Sequence, residues 1–166
     1  NTLSYKDFEL DFMFTFALGS RMMNSTRASL LTYTQSEAWN LSSDIMNMWQ
    51  LPGQHTDIPR LQNNSIIGGN DYTAAITTTR FLENNSYLRL KTLTLAYSLP
   101  DHVMRKLRVV KQFKLFMTLT NLFTVTKYSG LDPEVSAYGS SALAAGYDNM
   151  TMPQSRSYQF GVRASF

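Results

Sequence analysis

Phe8-Glu9-Leu10-Asp11-Phe12-Met13-Phe14-Thr15-Phe16-Ala17-Leu18 decides the fold of this chain. In an extended strand, successive side chains point to opposite faces, so a period of two separates two surfaces. Phe8, Leu10, Phe12, Phe14, Phe16 and Leu18 fall on one face. Glu9, Asp11, Met13, Thr15 and Ala17 fall on the other. Strands of soluble sheets usually run about five or six residues. A longer run with an almost wholly aromatic face and carboxylates opposite suits a membrane barrel. There a strand needs about 9–11 residues, apolar toward lipid and polar toward a wet lumen.

Working outward, Leu3, Ser4 and Tyr5 read as a strand over 1–5, with Lys6-Asp7 as a tight turn into a strand over 8–22. A second long strand is expected over 86–99. Simple alternation there places Leu93, Leu95, Tyr97 and Leu99 on one face with Tyr87, Arg89 and Lys91. A third is expected over 112–127, its pattern slipping near Asn121 as a bulge would make it slip. A fourth over 156–166 alternates Tyr158, Phe160, Val162, Ala164 and Phe166 with polar or small residues. Between the strands lie a very long segment (23–85), a moderate link with helical spacing after Pro100 (100–111) and a long segment (128–155). Short turns on one side and long loops on the other are the barrel habit. Structureless loops beyond about 15 residues are uncommon in compact soluble domains. With 128–155 outside, the last strand runs inward, and Arg89 and Lys91 are expected near the outer rim, facing lipopolysaccharide phosphates.

The bulk numbers fit this reading. The chain has 166 residues, 43% hydrophobic, with a mean hydropathy of −0.22. An alternating barrel averages out in this way. No run approaches the ~18 apolar residues of a spanning helix. Cysteine is absent, which removes a disulfide framework and Cys-based metal sites. Net charge is +3, with basic residues clustered only at Arg105, Lys106, Arg108 and Lys111. No motif or aromatic interleaving accompanies that cluster, so nucleic acid is not an expected partner. About five strands cannot close a barrel, since single-chain barrels of this type begin at about eight. Open edges in hydrocarbon are prohibitive, so both edges are expected to be completed by other strands of a larger barrel. No signal peptide is visible at Asn1, so either one has been removed or this is a piece of something longer.

Several stretches taken together resemble the C-terminal portion of SusC/RagA-type TonB-linked outer-membrane transporters. They are Asn1-Thr2-Leu3-Ser4-Tyr5-Lys6, Ser86-Tyr87-Leu88-Arg89-Leu90-Lys91 and Leu95-Ala96-Tyr97-Ser98-Leu99-Pro100. The most specific is Asn121-Leu122-Phe123-Thr124-Val125-Thr126-Lys127-Tyr128-Ser129-Gly130-Leu131-Asp132-Pro133-Glu134-Val135. Tyr147-Asp148, Pro153 and Tyr158-Gln159-Phe160-Gly161, running on to Phe166, complete the series. The resemblance implies an all-β fold, the C-terminal strands of a transmembrane antiparallel β-barrel of about 22 strands with long extracellular loops. It implies an integral protein of a Gram-negative outer membrane that imports oligosaccharides or peptides. It also implies a plug domain, absent from these residues, a TonB complex reached through the missing N-terminal part, and a SusD-like surface lipoprotein as lid.

Individual residues carry weaker expectations. Glu9 and Asp11 are candidates to face the lumen. Tyr158, Phe160 and Phe166 fit a terminal signal for barrel assembly. Trp39, Trp49, Tyr72, Tyr138 and Tyr147 lie in the long loops as candidate ligand or lid contacts, or as members of small loop cores. Asp132 and Glu134 flank Pro133, which reads better as a rigid loop start than as a glycosidase pair. His55 with Asp57 is too few ligands for a metal. No catalytic residue, cofactor or metal is expected. The competing function is a soluble all-β carbohydrate- or protein-binding module with long recognition loops, which would need a second sheet over the Phe8–Leu18 face.

Overall fold

The computed structural model describes residues 1–31, 40–60, 66, 67, 70, 71, 78–107, 110–139 and 145–166. They form two compact units. One comprises Asn1–Leu18, Ser86–Lys127 and Gln154–Phe166; the other comprises Gly19–Asn85 and Tyr128–Pro153.

The first unit is a five-stranded antiparallel sheet. Its strands are β1 (Thr2–Tyr5), β2 (Phe8–Ala17), β7 (Tyr87–Ser98), β8 (Gln112–Thr126) and β10 (Ser157–Ser165), adjacent in that order. Lys6, with φ of 53°, makes the tight turn between β1 and β2. A short helix α2 (Asp101–Leu107) connects β7 to β8, with the backbone amides of Val103 and Met104 bonded to the Pro100 carbonyl. Among the described residues no helix is long and apolar enough to cross a membrane.

Cross-strand partners share a face, so the register fixes both surfaces. Leu3–Leu10–Leu95–Met117–Phe160 forms one apolar row, and Tyr5–Phe8–Tyr97–Leu115–Val162 another. The opposite face carries Thr2–Asp11–Thr94–Thr118–Gln159. The apolar face lies open: Phe8 is 51% exposed, Phe16 67% and Phe160 73%.

Halfway along, the ladders slip. Between the Phe12–Leu93–Leu119 row and the Phe14–Leu90–Phe123 row, β2 spends one intervening residue, Met13. In the same step β7 spends two, Lys91 and Thr92, and β8 spends three, Thr120, Asn121 and Leu122. Asn121 takes a left-handed φ of 52°, which Asn tolerates better than most residues. The bulge corrects one sequence expectation. Because the extra residue at Lys91 reverses the phase of β7, Leu88 and Leu90 join the apolar face, opposite Phe16 and Phe14. Tyr87 and Arg89 turn to the polar face, opposite Ala17 and Thr15. Arg89 is only 3% exposed and so does not project from the apolar surface toward lipid phosphates.

The second unit is built differently. The strand expected to run from Phe8 to Met22 ends at Ala17. Gly19, with φ of 72°, turns the chain into β3 (Arg21–Asn24). β3 pairs antiparallel with β6 (Leu82–Asn84) and parallel with β9 (Tyr147–Asp148). A separate pair joins β4 (Ile66–Ile67) to β5 (Asn70–Asp71). Helix α1 (Ser25–Leu30) starts at Asn24, whose Oδ1 accepts from the Arg27 amide at 2.8 Å. Ala28, Leu31, Ile45, Ile58 and Phe81 form a small buried core, with Met23, Leu41 and Met48 against it.

Candidate functional site

Three surfaces offer chemistry. The first is the polar face of the sheet. Glu9 Oε2 accepts from Lys114 Nζ at 2.8 Å, and Asp11 Oδ2 accepts from Thr2 Oγ1 at 2.8 Å. Thr94 and Thr118 hydroxyls meet at 3.1 Å. Arg89 Nε donates to Thr124 Oγ1 at 2.9 Å, and its guanidinium lies 5.8 Å from the centre of the Tyr87 ring. The face is therefore hydrogen-bonding, mixed in charge and wettable. Gly161 lies on it beneath the Phe116 ring, whose Cζ would stand 2.3 Å from any added Cβ. Glycine is required there by close approach rather than by backbone angle.

The second is the apolar face. Phe8, Leu95, Leu115, Met117, Phe160 and Val162 line a shallow groove of about 640 Å³. Phe8 and Tyr97 rings pack at 4.7 Å, and Phe14 meets Phe123 edge-on at 6.3 Å. Such a surface offers only dispersion and apolar burial, which hydrocarbon chains can satisfy.

The third lies within the loop unit. Asn24, 1% exposed, donates through Nδ2 to Glu83 Oε1 at 3.3 Å and to Ser129 Oγ at 3.2 Å. Glu83 also takes the Arg27 guanidinium at 3.2 Å, and the Ser129 amide and hydroxyl at 3.0 and 2.8 Å. Burial pulls the Glu83 pKa upward. The Ser129 hydrogen bonds and Arg27 together outweigh it and leave the carboxyl below its ordinary range. Beside it, Tyr128 donates to Asp148 Oδ2 at 2.7 Å. Burial, then that hydrogen bond and the nearby carboxylates, push the phenol well above its usual value. The Tyr128 ring lies over Gly130, where a Cβ would stand 2.4 Å from its Cε1. Thr26, Arg27, Leu31, Asp44, Leu131 and Met150 line an adjoining cleft of about 270 Å³. Polar side chains thus clasp segments from both long loops, with no nucleophile–base pair among the groups described.

The remaining expected residues fall as follows. Trp39 and Tyr72 lie outside the described residues. Trp49 is 36% exposed. The Tyr138 and Tyr147 rings pack at 5.4 Å, and the Tyr147 hydroxyl accepts from Ser25 at 2.7 Å, so both help hold the loop unit together. Tyr158, Phe160 and Phe166 are exposed, the first two on β10. Asp132 is buried and accepts the Glu134 amide at 2.9 Å, a turn rather than a paired-carboxylate site. His55 and Asp57 are exposed, and among the described residues no three potential metal ligands gather. Sequence reasoning missed Asn24, Glu83 and Ser129. Their one local signal was Asn24 immediately before Ser25-Thr26, a helix-start pattern.

Comparison with known proteins supplies the context for these surfaces. No family model matches the chain. TonB-dependent receptor P3 of Formosa agariphila is 29% identical over 172 residues, and TonB-dependent receptor P26 of the same organism is 28% identical over 169. Each alignment covers the whole of this chain and 16% of the relative. Among solved structures, the RagAB peptide transporter superposes with a TM-score of 0.75 at 31% identity, covering 98% of this chain and 16% of that one. The RagAB peptide importer in its open-open state superposes at 0.70. The sheet is thus a section of a transmembrane antiparallel β-barrel of the TonB-dependent transporter class. Within that class the chain is similar to the SusC/RagA type, and it corresponds to C-terminal strands of the barrel. It spans about a sixth of the length of these relatives, 16% in each case.

Proposed function

We propose that this chain is part of an outer-membrane active importer of oligosaccharides or peptides. TonB energises it, and a SusD-like surface lipoprotein works with it. One observation carries the reading: a sheet whose open face is apolar across all five strands and whose other face is polar and hydrogen-bonded. The apolar face meets outer-membrane lipid, and Glu9 and Asp11 line the solute path. The long loops containing Trp49, Tyr138 and Tyr147 face the cell exterior, and the exposed Tyr158, Phe160 and Phe166 serve assembly. The relatives are receptors and transporters, which supports transport over catalysis. The matched RagAB structure is named a peptide transporter, which makes peptides the first substrates to try. A soluble binding module would cover the Phe8–Leu18 face with a second sheet, and no described residues do so.

The test is uptake by cells carrying the full-length transporter, supplied with fluorescent peptide and oligosaccharide libraries, with and without TonB. TonB-dependent accumulation of one class is the expected result. Equal uptake of every probe in cells lacking the transporter would overturn it.

A further inference from the structure

We propose that the short-turn end of the sheet is an anionic phospholipid site, in which Lys6, Arg105 and Lys111 hold headgroup phosphate just beyond an aromatic margin of the apolar face. The inference rests on the reading that this face meets outer-membrane lipid. It goes further by giving one rim a headgroup preference.

The Lys6-Asp7 turn, helix α2 and the C-terminal end of β10 all lie at this end of the sheet. Backbone hydrogen bonds run along the rim. The Ser98 amide donates to the Asp7 carbonyl at 2.8 Å, the Leu99 amide to the Phe113 carbonyl at 2.9 Å, and the Lys111 amide to the Ser165 carbonyl at 2.7 Å. The last of these carries the ladder one residue beyond β8 and sets Lys111 beside Phe166. Tyr5 and Phe166 are each 72% exposed. Lys6 Nζ lies 5.4 Å from the centre of the Tyr5 ring. Cations thus follow directly on aromatics. That is the order of a membrane–water interface, where aromatic rings sit at headgroup level and long basic side chains reach past them.

Charge at this rim is one-sided. The turn and the 99–111 connection carry Lys6, Arg105, Lys106, Arg108 and Lys111 against Asp7 and Asp101. Such a surplus beside an apolar surface suits anionic lipid phosphate. Lys6, Arg105 and Lys111 are exposed, while Met104 is buried and packs α2 in place. Short turns of such barrels are periplasmic, so the periplasmic leaflet supplies the lipid. β7 and β8 are the third and fourth of five adjacent strands, with β2 and β10 already on their flanks. Further strands of the barrel join at the β1 and β10 edges, so none comes between the α2 connection and the bilayer.

The experiment uses the full-length transporter in phosphatidylcholine nanodiscs. They contain a trace of phosphatidylglycerol bearing a photo-crosslinker near its headgroup, or phosphatidylcholine bearing the same crosslinker. A second lipid with the crosslinker at its chain end reports on the middle of the apolar face. Adducts are mapped by mass spectrometry on the folded protein. The expected result is several-fold more labelling of residues 99–113 by phosphatidylglycerol than by phosphatidylcholine. Arg105→Gln and Lys111→Gln should each lower that ratio about fivefold, the effect of one cation near an anionic surface, and Lys111→Arg should keep it. Equal labelling by the two headgroups would overturn the proposal, as would a ratio that neither glutamine substitution changes. A rim without adducts, while the chain-end crosslinker labels the strands around Leu95 and Phe160, would show that another part of the transporter covers it and would also overturn it. If those strands stay unlabelled too, the lipid-facing reading fails with it, and the two failures are told apart.

Discussion

The sheet unit and the loop unit use the same residue types in opposite ways. In the sheet, Phe8, Phe16 and Phe160 stand exposed on an open face, while Arg89 is buried on the other. In the loop unit, Phe81, Leu31 and Ala28 are buried in a small core. One chain is thus folded against two solvents. Burial of apolar area holds the loop unit together. The strands are held by backbone pairing, with lipid completing their apolar face.

The sharpest way to break this contrast is to remove the loop-unit core. Phe81→Ala should cost that unit about 3–5 kcal/mol, read as early proteolysis within 19–85 while strands 87–98 and 112–126 stay protected. Proteolysis of strands and loops together would show that the two units are not separate. Next in size, Leu95→Arg puts a cation on the apolar face and should cost about 2–4 kcal/mol near the bilayer midplane. The readout is loss of the heat-modifiable folded band in gels of membrane extracts. The same change at exposed Leu51 should leave that band alone, and equal damage at both positions would count against the lipid reading. Gly161→Ala drives a methyl into the Phe116 ring and should cost about 1–3 kcal/mol. A large part of that should return in the Gly161→Ala/Phe116→Ala double variant, measured by urea unfolding in detergent.

The smallest effect is a titration confined to the loop unit. The Glu83 pKa is lower folded than its ordinary 4.5. Its stabilising share is therefore present above that value and lost as pH falls below it through the folded pKa. The melting temperature of the loop unit should fall in that window in the parent and stay flatter in Glu83→Gln. Tyr128 runs the other way. Its raised pKa makes the neutral phenol stabilising, and that share is lost as pH climbs above the ordinary 10.0. Identical acid profiles for parent and Glu83→Gln would remove the carboxylate from the account.

How far the sequence disclosed these regions follows from the same contrast. β2, β8 and β10 were readable because period-two alternation is a local property of strands. Helix α2 was readable from the helical spacing of Val103, Met104 and Leu107 in the sequence after Pro100. The face of Arg89 was not, since the extra residue at Lys91 reverses the phase and only the pairing of β7 with β2 shows it. The early end of β2 at Ala17 turned on Gly19, whose left-handed φ breaks the strand expected over 8–22. The clasp was invisible, because long-range topology brings Asn24, Glu83 and Ser129 together, and the helix-start pattern at Asn24 does not point to the other two.

The stepped insertion of one, two and three residues across β2, β7 and β8 has a consequence for assembly. A perfectly alternating barrel is degenerate: sliding any strand by two residues restores apolar-out and polar-in, so hydrophobicity cannot choose among such registers. A staircase of extra residues, topped by a left-handed Asn121, fits its neighbours in one alignment alone. It is a fiducial mark for the mutual register of β2, β7 and β8.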